Sequence, residues 1–293
     1  MVGLSRAKHV AGAYFLFAPF LIFFVLFRII PFGQSIYLTF FEWDFFSEPN
    51  FVGINNYIRL FQDERFWSSF AHTLYFTVLT VLPLVIFGFL VALLLNLKQW
   101  GAGIYRAGFV LPYVFSISVV CLIWQLLYNR NFGFFNGLLQ RFGLPGFDWL
   151  GDSNLAMISI AATTIWWTLG FNVLIYLSAL QQIPQSLYEA ADMDGVTPFQ
   201  RMTRITIPLL KRAHVLVLVL QVIASLQVFG QVFIMTKGGP GGKTRVLVQY
   251  IYELGFRNFR MGYGQAIAFL FFLLMVGVSV FQISLMQNRE DSE

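Results

Sequence analysis

The sequence predicts an all-α, polytopic membrane protein with about six transmembrane helices. Its 293 residues are 58% hydrophobic and only 11% charged, whereas a soluble domain contains about 25% charged residues. The mean hydropathy is +0.70, and apolar runs of about 20 residues, the length that crosses a bilayer as a helix, recur along the chain. Helices are expected because every backbone polar group must find a partner within the bilayer.

Six apolar segments are long enough to be membrane spans. The first, roughly 10–40, follows Arg6 and Lys8 and contains Pro31, where a kink is expected. It is too long for a secretory signal peptide and is followed by no small-residue cleavage site, so we interpret it as a membrane anchor. The remaining predicted spans are 72–96, 105–128, 155–180, 212–235 and 264–286. No internal repeat divides the chain, which predicts one transmembrane domain over 1–293.

The composition argues against several classes of function. Cys121 is the single cysteine, so no intrachain disulfide is possible. No basic cluster stands out, so no nucleic-acid binding is expected. His9, His72 and His214 lie far apart in the sequence, and no metal site is expected. The acidic residues fall almost wholly outside the spans, which argues against a proton-driven carrier and against a membrane enzyme.

A polar segment of helix-forming residues, 186–210, separates two predicted spans. Ser186 and Glu189 have the spacing of a capping box, in which a hydroxyl and a carboxylate bond the first backbone N–H groups of a helix. Gly195 is placed to end that helix, because glycine tolerates the left-handed conformation found at helix ends. The segment therefore begins with a short helix closed by a glycine turn.

A second short helix is predicted to follow the glycine. Thr197 has the position of its N-cap, with Pro198 in the first helical position and Gln200 in the third. Pro208 should prevent this helix from running smoothly into the next span. The segment is thus predicted to fold as helix, glycine turn and helix.

This spacing resembles the EAA motif in the membrane subunits of ATP-binding-cassette (ABC) importers: Glu-Ala-Ala, three residues, Gly, nine residues, then Ile-x-Leu-Pro. Ile207 replaces the usual Leu and Val196 the usual Ala. The resemblance implies the type I ABC importer permease fold and a cytoplasmic coupling loop, residues 184–210, which we name the EAA loop. It assigns contact with a separate ATPase to Glu189, Ala190, Ala191, Asp194, Gly195, Ile205 and Pro208.

Charge alone does not orient the chain in the membrane. With the N-terminus inside, Lys and Arg divide nine to nine between the two sides, and Arg28 is ambiguous. In the importer family the EAA loop faces the cytoplasmic ATPase, so the resemblance implies that both termini are cytoplasmic.

Two further segments resemble the sugar-permease branch of this family. Residues 52–76 are similar to that branch's first external loop, and residues 229–256 to its glycine-rich external loop. The resemblance is to the larger maltose subunit and the glycerol-phosphate subunit. It implies a carbohydrate or polyol as solute and a bacterial or archaeal cytoplasmic membrane as the location. Importers of other solutes share the EAA motif, so a non-sugar solute remains an alternative; a secondary carrier and a channel are less favoured.

The resemblance also implies a set of partners. These are a second homologous permease, two ATPase subunits and an extracytoplasmic solute-binding protein, all assembled around a lipid bilayer. ATP and magnesium would bind the ATPase, so this chain is expected to hold no cofactor and to hydrolyse nothing itself.

Polar residues within the spans are candidates for the solute pathway, because such residues need a cavity or a polar partner in a membrane. Amide and hydroxyl groups beside aromatic rings suit a sugar, whose hydroxyls form hydrogen bonds and whose C–H faces stack on rings. Packing between helices is the alternative role. The candidates are Ser116, Ser118, Thr164, Trp167, Thr168, Phe171, Asn172, Gln221 and Ser225; by resemblance, Thr164, Trp167, Thr168 and Phe171 match sugar-contacting positions of the maltose-type permease.

Overall fold

The computed structural model describes residues 16–97 and 101–290, without the side chains of Ala102 and residues 285–290. Helices make up most of this part of the chain, and the only described strands are two of two residues each, so the all-α prediction is confirmed. The start of the first predicted span, residues 10–15, and the flanking Arg6, Lys8 and His9 lie outside the described residues.

The chain forms two compact units. One comprises Met1–Asp63 and Ile251–Leu273, and the other Glu64–Tyr250 and Leu274–Glu293. The interpretation of residues 1–293 as one domain stays a prediction.

The first unit begins with α1, Leu16–Leu38. Pro31 has no N–H with which to bond the carbonyl one turn earlier. The helix widens just before it into a π turn over Val25–Ile29, closed by the Ile30 N–H bonding the Val25 carbonyl. The expected disturbance near Pro31 is therefore a local change of helical pitch, and α1 is not interrupted.

A small hairpin follows α1 in the same unit. Its elements are β1 (Phe41–Glu42), the antiparallel β2 (Asn50–Phe51) and the helix α2 (Asn55–Phe61). The buried Asn56 amide donates to the carbonyls of Thr39 (2.8 Å) and Phe41 (3.0 Å). Gly262 allows the backbone to approach, because a Cβ there would lie 1.8 Å from the Phe41 carbonyl oxygen. These contacts hold the hairpin against the start of the last long helix.

The second unit contains most of the helices. They are α3 (Glu64–Asn96), α4 (Ala102–Val114), α5 (Ile117–Leu127), α6 (Phe134–Arg141), α7 (Ala156–Leu180), α8 (Gln185–Met193), α9 (Pro198–Leu209), α10 (Lys211–Leu226) and α11 (Gly230–Met235). The chain then continues through α12 (Leu247–Tyr252), a π turn over Glu253–Arg257, and α13 (Met261–Glu290).

Four of the described helices are long and apolar enough to cross a membrane unbroken: α1, α3, α7 and α13. Two further candidates are bent pairs, α4 with α5 at 99° and α9 with α10 at 66°. The described chain therefore has four spans, or six if each bent pair is one span, in agreement with about six predicted helices.

The end of the predicted fifth span was wrong. A single helix was expected over 212–235, but α10 ends at Leu226 and the chain restarts a helix at Gly230. A Cβ on Gly230 would lie 2.5 Å from Cδ1 of Ile117, so this position is close to α5. Apolar residues continue on both sides of the break, and hydropathy could not reveal it.

The centre of the second unit is the packing of α3, α7 and α10. Glycines allow close helix contacts, as is usual where helices meet in a membrane. A Cβ on Gly88 would lie 2.9 Å from Cβ of Asn172, and one on Gly170 would lie 2.2 Å from the carbonyl oxygen of Phe109 in α4. Tyr176 of α7 is fully buried among these helices.

Candidate functional site

A cavity of about 360 Å³ lies in the second unit, among α3, α4, α7 and α10. It contains six of the nine predicted pathway residues. Its lining consists of Phe76, Tyr113, Thr164, Trp167, Thr168, Phe171, Leu220, Gln221, Ala224, Ser225, Val228 and Gln231. No charged side chain is among these residues, so the described lining combines aromatic rings with uncharged hydrogen-bonding groups.

One wall of the cavity is aromatic. Tyr113 stacks on Phe171 with ring centroids 5.3 Å apart and an interplanar angle of 25°, and its ring is 6.4 Å from that of Trp167. The Trp167 indole N–H donates to the Phe115 carbonyl over 3.1 Å. Phe115 lies at the break between α4 and α5, where carbonyls lack helical partners. The break therefore fixes the orientation of Trp167.

Hydroxyl groups on α7 form a polar part of the lining. Thr164 donates to the Ile160 carbonyl at 2.9 Å, and Thr168 donates to the Thr164 carbonyl at 2.8 Å. Each hydroxyl hydrogen is thus used within the helix. The oxygen lone pairs remain available as acceptors for a ligand hydroxyl.

Two lining residues of α10 are bonded to other helices. The Gln221 side-chain amide donates to Oδ1 of Asn172 over 2.8 Å, and the Ser225 and Thr80 hydroxyls are 2.9 Å apart. Both residues are buried but contribute surface to the cavity.

Three predicted pathway residues lie outside the cavity lining. Asn172 is 0% exposed and faces α10, which is the helix-packing role that the sequence left open. Ser116 and Ser118 are exposed, and Ser116 is the N-cap residue of α5. The 99° bend between α4 and α5 explains this, because a span that bends there cannot keep Ser116 and Ser118 on the face that carries Tyr113.

Tyr113, Phe76 and Gln231 line the cavity but were not among the predicted pathway residues. Tyr113 directly follows Pro112, which precedes the break. A proline near a polar stretch within a span was the one sequence feature that could have indicated a role for Tyr113. Whether any lining residue contacts a solute stays a prediction.

The first helix of the EAA loop begins differently from the prediction. Pro184 is the N-cap residue of α8, and none of the described side chains caps the helix. The predicted capping box of Ser186 and Glu189 was therefore wrong, because Ser186 already lies inside the first turn. A cap must have non-helical backbone angles, and Pro184 occupies that position with φ −58° and ψ 131°.

The end of α8 confirms the predicted glycine turn. Gly195 has φ +71°. Its N–H bonds the Asp192 carbonyl at 3.2 Å, and the Val196 N–H bonds the Ala191 carbonyl at 3.1 Å. This pair of hydrogen bonds is a Schellman motif, which satisfies carbonyls at the end of a helix.

The start and end of α9 also agree with the prediction. Thr197 and Gln200 form a capping box, with the Gln200 N–H donating to the Thr197 hydroxyl at 3.3 Å and the Thr197 N–H donating to Oε1 of Gln200 at 3.0 Å. A π turn precedes Pro208, and the helix bends by 66° at Leu210 before α10 begins. Leu210 is buried in the core, which fixes the bend.

A set of side-chain contacts that the sequence did not suggest joins α8 to α9. Arg201 donates to both carboxylate oxygens of Asp192, at 3.0 and 3.2 Å, and its guanidinium lies 4.9 Å from the centre of the Tyr188 ring. The Tyr188 and Thr206 hydroxyls are 3.2 Å apart. The two helices are thus held as one unit with a defined outer face.

The two alanines of the EAA motif do not lie on the same side of α8. Ala190 is exposed with Glu189, whereas Ala191 is only 5% exposed. Successive helical residues are about 100° apart, so the two alanines to which the resemblance assigns ATPase contact are divided between the outer and inner faces. Met193 and Phe199, which are 90% and 70% exposed, add large apolar groups to the outer face.

Asp194, Gly195 and Pro208 are also exposed in the EAA loop, and Ile205 is half-buried. Exposed apolar side chains in a polar setting are typical of a protein-binding surface. Contact between this surface and an ATPase stays a prediction.

Residues 63–289 match the family described as binding-protein-dependent transport system inner membrane components. The chain therefore belongs to this family. It is a membrane-spanning permease subunit of an ABC importer, and it is not itself an enzyme.

Two curated relatives cover nearly the whole chain. The trehalose/maltose transport system permease protein of Thermococcus litoralis is 34% identical over 282 residues, which are 95% of this chain and 94% of the relative. The sulfoquinovosyl glycerol transport system permease protein of Agrobacterium fabrum is 34% identical over 283 residues, which are 95% of this chain and 91% of the relative.

The fold is that of a solved importer. A chain of a bacterial ABC transporter involved in the import of the acidic polysaccharide alginate superposes with a TM-score of 0.85. The two chains are 24% identical, and the match covers 98% of this chain and 99% of that one. The predicted type I importer permease fold is confirmed.

Proposed function

We propose that this permease moves a neutral carbohydrate inward across a bacterial or archaeal cytoplasmic membrane. The observation that carries the proposal is the cavity. Its wall of Tyr113, Trp167 and Phe171 suits the C–H faces of a sugar, and its hydroxyl and amide groups suit the sugar hydroxyls. The names of the two curated relatives support a carbohydrate solute. Trehalose and maltose are neutral, whereas sulfoquinovosyl glycerol carries a sulfonate and supports the sugar class alone.

The absence of charge from the described cavity lining favours a neutral sugar over a charged one. An acidic sugar or glycerol phosphate taken from water into this cavity would lose hydration without gaining a cationic partner, which is unfavourable. A volume of about 360 Å³ is at the lower end of small-molecule sites. The cavity is therefore matched to one or two sugar rings at a time.

Membership of the family supports a proposed set of partners. The chain pairs with a second homologous permease and with two ATPase subunits that bind ATP and magnesium, and an extracytoplasmic binding protein delivers the solute. Both termini face the cytoplasm. The outer face of the EAA loop, with Glu189, Ala190, Met193 and Phe199, docks on the ATPase. Coupling requires that these contacts differ between the two states of the ATPase.

Uptake by the reconstituted four-subunit transporter with its binding protein tests the solute class. Neutral disaccharides, a uronic-acid oligosaccharide and glycerol 3-phosphate are offered in turn, with ATP inside the proteoliposomes. Phe171→Leu should raise the KM for the neutral sugar about three- to tenfold, the factor that an aromatic contact contributes. Phe87→Leu, at an exposed position of α3, is the matched control.

Preferred uptake of a charged solute, or equal KM values for the two leucine variants, would contradict the proposal. Uptake of a non-sugar solute through the same complex would support the alternative importer class.

A further inference from the structure

One face of α10 carries three polar side chains, and each is hydrogen-bonded to another helix. His214, Gln221 and Ser225 are spaced by seven and four residues, so they lie on the same side of the helix. Nδ1 of His214 is 2.9 Å from the Tyr176 hydroxyl. Gln221 donates to Asn172 over 2.8 Å, and the Ser225 hydroxyl is 2.9 Å from that of Thr80. We name these three pairs the α10 ladder.

The ladder runs from the EAA loop to the cavity. Its first member, His214, lies one turn after the bend at Leu210 that ends the EAA loop. Its other two members on α10, Gln221 and Ser225, belong to the cavity lining. At a rise of 1.5 Å per residue, the ladder covers about 16 Å of the helix axis. The intervening residue Val217 is fully buried in the core.

The partners of the ladder have no access to water. Tyr176, Asn172 and Thr80 are each 0% exposed. A buried polar group that loses its hydrogen bond is strongly disfavoured when no water can replace the partner. Sliding or rotating α10 alone would break all three pairs together. The lowest-energy motion of α10 is therefore one in which α7 and α3 move with it.

The rings around His214 strengthen this connection. The Phe89 ring on α3 lies 5.1 Å from the His214 ring and 5.7 Å from the Tyr176 ring. The first rung of the ladder thus joins α10, α7 and α3 at one point. A displacement of the N-terminal end of α10 therefore acts on α10, α7 and α3 at this point.

We propose that the α10 ladder is a positioning device that transmits movement of the EAA loop to the wall of the cavity. The residues of the ladder act through helix position, and the inference rests on the proposed coupling of the EAA loop to an ATPase. Without the first rung, α10 can tilt at Leu210 while α7, which carries Thr164, Trp167 and Phe171, stays in place. ATP would then be hydrolysed without moving the solute.

Tyr176→Phe in the complete reconstituted transporter tests the proposal. The variant keeps the ring against Phe89 and removes only the hydroxyl. Ser178→Ala is the matched control, because Ser178 lies on the same helix, is exposed, and among the described residues bonds the Leu174 carbonyl of that helix alone. Solute transported per ATP hydrolysed should fall about threefold in Tyr176→Phe, the factor expected for an average hydrogen bond between membrane helices. It should be unchanged in Ser178→Ala.

A double-mutant cycle separates transmission from general weakening of the fold. His214→Phe should lower the transport-to-ATP ratio as much as Tyr176→Phe, and the double variant should fall no further, because all three lack one shared bond. His214→Gln, whose amide can bond the Tyr176 hydroxyl, should restore most of the ratio.

The outcomes distinguish the ladder from the proposed function. A wild-type complex whose ATP hydrolysis is independent of transport would overturn the coupling itself. A coupled wild type with an unchanged ratio in Tyr176→Phe would overturn the ladder and leave the coupling intact. A transport-to-ATP ratio that is lower in the double variant than in either single variant would also contradict the ladder. So would failure of His214→Gln to restore this ratio.

Discussion

Gly170→Ala should destabilise the protein by forcing α4 away from α7. The added Cβ would lie 2.2 Å from the Phe109 carbonyl oxygen, and 2.8 Å from Cα of Val110. Carbon–oxygen contacts between packed backbones are normally about 3.3–3.6 Å. The two helices must therefore separate by about 1 Å, and the atoms that have to move belong to the backbone, which cannot change rotamer.

The size of the effect follows from this overlap. Overpacking a well-packed contact costs about 1–3 kcal/mol, and a rigid backbone neighbour places Gly170→Ala toward the upper end. Alanine is favoured over glycine in a helix by about 1 kcal/mol. The control must therefore also replace a helical glycine by alanine, so that this gain in stability is the same in both variants. Gly108→Ala is suitable, since it lies on α4 and, apart from the neighbouring backbone of α4 itself, no described atom lies within 4 Å of the added Cβ. Gly170→Ala should be about 1–3 kcal/mol less stable than this control.

Thermal unfolding of the purified transporter in nanodiscs measures the difference, together with solute uptake. Gly170→Ala should unfold several degrees below Gly108→Ala, because about 1 kcal/mol corresponds to 2–4 °C in a chain of 150–250 residues. Uptake should fall as well, since Tyr113 lies one helical turn beyond Phe109 on the displaced helix. Equal unfolding temperatures and equal uptake in the two variants would refute the close contact between α4 and α7.

Three further predictions concern the loops. Gly195→Val should reduce uptake and the amount of ATPase that copurifies with the tagged permease, because a β-branched residue at φ +71° is strained by about 1–2 kcal/mol. Gly195→Asn should be tolerated. Equal recovery of ATPase with the two variants would exclude a role of the glycine turn in binding the ATPase. Met193→Asp should lower the amount of copurified ATPase more than Met193→Leu does. Equal amounts with the two variants would mean that the ATPase does not bind at Met193. The Asp44 carboxyl has a pKa below its usual value, because the Ser47 hydroxyl and the Ser47 and Phe46 N–H groups donate to it. The stability that the ionised Asp44 carboxylate gives to the turn is complete above the ordinary aspartate pKa and is lost as the pH falls through the lowered pKa of the folded protein. Trp43 fluorescence should therefore change on acid titration of the wild type and not of Asp44→Asn. Identical titrations of the two proteins would contradict the assignment.

Local rules predicted the EAA loop well where one residue decides the conformation. Gly195 and Thr197 act through their own backbone angles and their nearest neighbours, so the sequence contains the necessary information. Ser186 failed because Pro184, two residues earlier, already has the extended conformation of an N-cap. The first residue of this helix cannot be located to within two positions without knowing where the preceding span ends.

The cavity was only partly predictable because helix geometry rotates a repeated pattern. Thr164, Thr168 and Asn172 recur every four residues, and each step of four turns the side chain by about 40° around the helix. Thr164 and Thr168 therefore line the cavity, whereas Asn172 has rotated toward α10. Tyr113 joins the lining through the packing of α4, which no pattern within α4 specifies.

The Trp167 side chain has two structural roles, and no substitution removes one without the other. Its ring forms part of the cavity wall, and its N–H supplies the Phe115 carbonyl that the break between α4 and α5 leaves without a helical partner. Any replacement that alters solute preference at this position also leaves the break without its donor. Phe171 and Tyr113 contact each other, and in the described part of the chain neither makes a comparable bond to the break. An effort to redirect the permease to a different sugar should therefore begin with Phe171 and Tyr113 and retain the tryptophan.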